Sequence, residues 1–301
     1  MKGQIKLITA MLIFGSIGIF VKNINLSSSE IALFRGVIGS LFLICGSLLV
    51  KQKLSFKAIK RNGILLILSG AAIGFNWIFL FEAYRFTTIS NATISYYFAP
   101  IFVMALAPLI LKEKLTVGTV TSIFAAMIGL FLVMNGGNSG ASGSYNHTAG
   151  ILYGLSAAAL YASVILMNKF IKNLSGFETT LIQLMMASIV LTPYVFMKEG
   201  ITDFMNLGNQ SIILILILGV IHTGFAYFLY FGSIRELKGQ TIAVLSYIDP
   251  ISAVIFAAIF FSESMSFMQI IGGVLVLGST FIGGKGTSKK RKKMKSKPKM
   301  V

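Results

Sequence analysis

Between its charged and polar breaks the chain divides into ten runs of mostly apolar residues. They lie at about 5–22, 31–50, 62–84, 90–111, 115–134, 149–168, 179–197, 211–234, 240–262 and 265–284. A helix crossing the hydrocarbon core of a bilayer needs about 20 such residues, so each run predicts one spanning helix. The segment from Asn135 to Asn146 is rich in Gly, Ser and Asn and carries no charge, which marks it as a linker. Five runs precede it and five follow.

The two sets of five echo one another at a spacing of 150 residues. Gly74-Phe75-Asn76-Trp77 matches Gly224-Phe225-Ala226-Tyr227, Phe81 matches Phe231, Arg85 matches Arg235, Pro100 matches Pro250 and Glu113 matches Glu263. A duplicated apolar half is the sequence mark of a transporter built from two structural repeats with its site between them. Because five is odd, the second copy enters the membrane from the opposite side. The expected architecture is therefore an all-α integral membrane protein of ten transmembrane helices arranged as two inverted five-helix repeats. The first repeat is 1–134, the linker 135–148, the second repeat 149–284 and a basic tail 285–301.

Composition supports the bilayer as solvent, with 55% apolar residues, 12% charged residues and a mean hydropathy of +0.84. Little sequence remains for a soluble domain. The first run, preceded by Lys2 and Lys6, resembles a secretory signal but lacks a small-residue cleavage site and is read as an uncleaved first helix. Cys45, the single cysteine, excludes an intrachain disulfide and reads as a small buried hydrophobe.

The net charge of +17 follows the membrane. With the N-terminus inside, 22 of the 26 Lys and Arg fall on the cytoplasmic side, and only Lys22, Arg35, Arg85 and Lys198 fall elsewhere. The positive-inside rule thus places both termini in the cytoplasm, in the cytoplasmic membrane. The tail from Lys285 to Lys299 is a topology anchor that could also meet anionic lipids. No aromatic residue interleaves its charges, so nucleic acid is not an expected partner.

Ten spans in a five-plus-five arrangement, Phe14-Gly15-Ser16 in the first span, the Pro100–Glu113 and Pro250–Glu263 spacings, and the basic tail together resemble the drug/metabolite transporter superfamily, EamA type. The resemblance covers essentially the whole chain. It departs at Phe14, where the pattern often has Trp. The resemblance implies secondary transport of amino acids, other small metabolites or toxic compounds, frequently outward. Uptake of a small organic nutrient is the alternative within transport, and a membrane enzyme or a non-transporting subunit the alternative outside it.

Polar groups at membrane depth are costly unless they line a cavity or find a partner. Asp249 lies roughly 13 Å along the ninth run at 1.5 Å per residue, and Pro250 behind it frees backbone carbonyls. His222 lies at similar depth in the eighth run. Their counterparts in the first copy are Ala99 and Ala72. An Asp and a His facing one another could pass a proton or hold a cation, and the energy is expected to come from a substrate gradient or from coupling to a proton or other ion. Arg35, near the outer end of the second run, could attract a carboxylate or phosphate or extend to the headgroups.

Asn76, Trp77, Asn91, Ser95, Tyr96, Tyr97, Tyr227, Ser246 and Tyr247 form a mixture of rings, hydroxyls and amides suited to a small amphipathic substrate. Pro100 and Pro250 are the candidate hinges. Glu82 and Arg85 read as an interfacial ion pair, and Glu113 and Glu263 as structural groups at helix ends. No catalytic constellation, metal-ligand spacing or nucleotide loop stands out. The sequence therefore predicts neither enzyme activity, nor a metal, nor a cofactor.

Overall fold

The computed structural model describes residues 2–49, 54–112, 116–135, 145–200, 207–234, 236–237, 241–242 and 245–279. Glu113, Arg235, the linker from 136 to 144 and the basic tail lie outside the described residues. The chain is an all-α membrane protein. Eight helices are long and apolar enough to span a bilayer: Lys2–Lys22, Ser28–Leu49, Gly63–Phe86, Ile89–Ile110, Val117–Asn135, His147–Asn168, Gly176–Glu199 and Asn209–Ser233. Two shorter apolar helices, Ile248–Phe261 and Phe267–Ser279, bring the set among the described residues to ten. They are called the first to tenth spans below.

Helix starts are fixed by side chains that satisfy the otherwise unpaired N-terminal amides. At the second span Glu30 N–H donates to Ser27 Oγ at 3.2 Å while the Glu30 carboxylate accepts from Ser27 N–H at 2.9 Å. The seventh span repeats this reciprocal cap with Ser175 and Glu178. Both carry the same Ser-x-x-Glu signature after a leucine. Ser266 and Gln269 build a third such cap on the tenth span.

The spans pack in a pattern that survives exchanging the two sets of five. The first span packs on the eighth and ninth, as the sixth packs on the third and fourth. The second touches the eighth, as the seventh touches the third, while the second meets the seventh and the fourth meets the ninth. The second and seventh run antiparallel. Ser29 Oγ, at the start of one, donates to Glu199, at the end of the other, at 2.6 Å. At the opposite end Ser55 N–H donates to Glu178 at 3.0 Å.

In lipid the drive to pack helices comes from close fit and polar bonds rather than from leaving water. The fifth and tenth spans show the close fit, since a Cβ placed on Gly129 would fall 2.6 Å from the Gly272 carbonyl oxygen. The third and sixth show the polar bond, with Asn76 Nδ2 donating to the Ala157 carbonyl at 2.6 Å. Cys45 departs from the expectation of burial. It is exposed, on the face that also exposes Leu41 and Leu48. A lipid-facing stripe is as apolar as a core, so hydropathy did not separate the two.

Four spans are interrupted near their middles. The fourth breaks at Tyr97–Phe98, giving Ile89–Tyr96 and Ala99–Ile110, and the ninth turns at 246–247 before Ile248–Phe261. Each break lies just ahead of a proline, Pro100 or Pro250, which offers no N–H to the carbonyl four residues back. The first span breaks at Ser16, between Lys2–Gly15 and Ile17–Lys22. The eighth widens into a π-helical turn over Val220–Phe225.

Candidate functional site

The interruptions meet in pairs, and each meeting carries a polar bridge. Where the fourth and ninth spans break, the Tyr97 hydroxyl donates to Asp249 Oδ2 at 2.6 Å, a length typical of a charge-assisted bond. Asp249 is the second residue of its helix segment, placed there by the turn ahead of Pro250. Where the first and eighth spans break, Ser16 Oγ lies 2.9 Å from His222 Nε2 and also donates to the Ile13 carbonyl at 2.8 Å. The His222 ring packs 4.4 Å from Phe20 and is 2% exposed.

Arg35 does not extend to the headgroups. It is 3% exposed, and its Nε donates to Thr223 Oγ1 at 2.8 Å within the π-helical turn. The guanidinium carbon lies 4.4 Å from the Trp77 ring centroid and 5.8 Å from that of Phe81. Thr223 in turn donates to the Leu218 carbonyl at 3.1 Å, which fixes the hydroxyl that holds the arginine.

Tyrosines gather near both charged groups. Tyr84 packs 6.5 Å from Phe81, which itself lies under the Arg35 guanidinium. Tyr96 packs 5.7 Å from Tyr161 and 6.0 Å from Tyr97, and Tyr227 packs 5.4 Å from Phe14. The centre thus brings together a buried cation against Trp77, a carboxylate held by Tyr97 and further aromatic rings. Such a lining suits a small molecule with polar ends.

Several predicted site residues have their polar atoms committed elsewhere. Asn76 joins the third span to the sixth, as above. Asn91 accepts from Gln269 Nε2 at 3.1 Å, linking the fourth span to the tenth. Ser95 and Ser246 donate to the carbonyls of Asn91 and Ile242 in their own spans. The two asparagines tie spans together, while the two serines bond within their own spans. Trp77, Tyr96, Tyr97 and Tyr227 surround the centre, and Tyr247 is half-buried at the ninth-span turn. Whether His222 and Asp249 meet is not decided by the sequence, and in the structure they are not hydrogen-bonded to each other and hold different partners.

Tyr84, Tyr161 and Thr223 were not anticipated. Thr223 is next to His222 in the sequence and follows the same polar-at-depth logic. The tyrosines carry no sequence signal that separates them from interfacial ones.

Away from the centre, two charge groups meet their expectations. Glu82 and Arg85 pair at 3.6 Å, three residues apart. They line a cleft of about 500 Å³ together with Glu30, Lys198 and Glu199. Glu263 is a structural group at a helix end. It pairs with Lys22 at 3.0 Å and accepts from Ile89 N–H at 2.9 Å and from Ser90 N–H and Oγ at 3.2 and 3.1 Å.

Residues 1–135 and 148–283 match the EamA-like transporter family. The chain belongs to that family. A Bacillus subtilis protein named uncharacterized transporter YxxF is 33% identical over 276 residues, covering 90% of this chain and 86% of the relative. An uncharacterized transporter of Archaeoglobus fulgidus is 24% identical across 93% of this chain and 95% of its own length. Human solute carrier family 35 member G1 is 25% identical across 87% and 73%. One solved structure superposes with a TM-score of 0.65 at 15% identity, covering 95% of this chain and 97% of that one, a likeness of fold. With this family and these helices, the chain is a multi-pass membrane transporter.

Proposed function

We propose that this EamA-family member is a secondary active transporter of the cytoplasmic membrane that exports amino acids or related small metabolites by alternating access. In this reading residues 1–134 and 149–284 are two inverted five-helix repeats joined by the linker 135–148. Both termini and the tail 285–301 are cytoplasmic. One bundle rocks against the other around a central site, with Pro100 and Pro250 as hinges. Movement of a proton or another ion through the Asp249 and His222 region supplies the driving gradient.

The observation that carries the reading is the Tyr97–Asp249 bond. A phenol from the first set of five spans meets a carboxylate from the second where both helices are broken. Discontinuous helices that present polar groups in the membrane interior are the usual construction of a secondary-transporter site. The exchange-invariant packing of the spans and the two separate stretches matched to one family support the repeat assignment.

The test is flux. Purified protein in proteoliposomes is loaded with each amino acid in turn, and counterflow of the labelled compound is followed with and without a pH gradient. Counterflow registers movement in either direction, and a gradient-dependent net flux then assigns direction. Absence of flux for amino acids and for related amines and organic acids would sink the proposal.

A further inference from the structure

We infer that Arg35 is the docking point for a carboxylate on the transported molecule, so that the substrate class is small organic acids, amino acids included, and not simple amines. The inference rests on the central site proposed above.

A guanidinium has five N–H donors in a planar fork. At Arg35 only Nε is engaged, by Thr223. Among the described residues neither Nη atom has a hydrogen-bond acceptor, and no carboxylate lies within ion-pairing distance. The residue is nevertheless 3% exposed.

Burying a charge without a counterion is costly. The cation–π contact with Trp77 offsets part of that and leaves the double-donor edge of the fork unused. Two parallel N–H bonds to one carboxylate are what that edge fits. Thr223 fixes the orientation by holding Nε, and the Trp77 face keeps the guanidinium flat. Asp249 has Oδ2 occupied by Tyr97 while Oδ1 accepts no hydrogen bond among the described residues.

The chain has a built-in reporter, since Trp77 is its single tryptophan and lies against the guanidinium. The experiment is a titration of tryptophan emission in detergent-solubilised protein. The probes are the amino acids, the amines left when each loses its carboxylate, the acids left when each loses its amine, and inorganic phosphate.

Acid-bearing probes are expected to give a saturable change and their amines none. Arg35→Gln should weaken acid binding at least about tenfold, and Arg35→Lys should recover part of it, as expected when one member of a buried charged pair is removed. If Arg35→Gln does not fold, the wild-type series of matched acids and amines decides. Amines that bind as well as their acids, acids that leave the emission unchanged, phosphate preferred over every carboxylate, or an Arg35→Gln variant with wild-type acid affinity would each overturn the assignment.

The two proposals fail separately. Flux that ignores Arg35→Gln sinks the docking role and leaves transport standing. Acid binding without flux does the reverse.

Discussion

Tyr97 and Asp249 stand 152 positions apart in the chain, yet the phenol hydroxyl lies 2.6 Å from the carboxylate. Each residue sits at the interruption of its span, just ahead of a proline.

Replacing Asp249 by Asn keeps shape and hydrogen bonding but removes the charge. We expect gradient-driven flux in proteoliposomes to fall at least about tenfold, equivalent to about 1.4 kcal/mol. Tyr97→Phe, which keeps the carboxylate, should lose less. An Asp249→Asn protein whose flux still follows the pH gradient at the wild-type rate would remove Asp249 from the mechanism.

Glu263 and Lys22 form a buried pair, with side chains 7% and 12% exposed. Glu263→Gln strands the ammonium and weakens the cap on the fourth span. Breaking a buried pair from one side costs about 3–5 kcal/mol, so thermal unfolding in detergent should shift well below wild type. Lys22→Met with Glu263→Met should recover part of the loss. A double variant as unstable as the sum of the singles would contradict the pairing.

The fifth and tenth spans approach at Gly129 and Gly272 too closely for a side chain. Gly129→Ala forces a Cβ to within 2.6 Å of the Gly272 carbonyl oxygen and should destabilise by about 1–3 kcal/mol through overpacking. Gly46→Ala is the control. A Cβ there meets nothing within 4 Å, so this change should be neutral or slightly stabilising, as expected for Gly→Ala in a helix. Denaturant titration of both variants checks the contrast.

A spin label on Cys45 should report lipid. The residue is exposed on an apolar face, so its power saturation should respond to oxygen, which concentrates in hydrocarbon, and not to a water-soluble nickel chelate. The opposite response would place that face of the second span against water or protein.

The membrane class and the ten helices were legible in the sequence because hydropathy reports directly on a bilayer. Two of the four breaks lie beside Pro100 and Pro250, where a missing N–H is a local fact, whereas the breaks at Ser16 and over Val220–Phe225 carry no proline, and Pro108 and Pro193 lie within helices. Which polar residues point to the centre was not legible. Asn76 and Asn91 look like substrate ligands in the sequence, but Ala157 and Gln269 claim them, and those partners are 81 and 178 positions away. Cys45 failed for a related reason, because lipid and protein interior select the same side chains. Arg35 was found by its charge, whereas its lack of a counterion became visible only once its neighbours were assembled.

The distribution of broken spans has a mechanical meaning. Among the described residues, the second, third, fifth, sixth, seventh and tenth spans are continuous rods. The first, fourth, eighth and ninth carry joints, and the joints are in contact two by two. Stiffness is therefore uneven. Bending the rods would strain whole ladders of hydrogen bonds, while flexing at a proline break or a π-helical turn strains few. The softest deformations of the bundle are concentrated at the level where Arg35, Asp249 and the tyrosines gather, so a load applied at either end of the molecule is felt first at its centre.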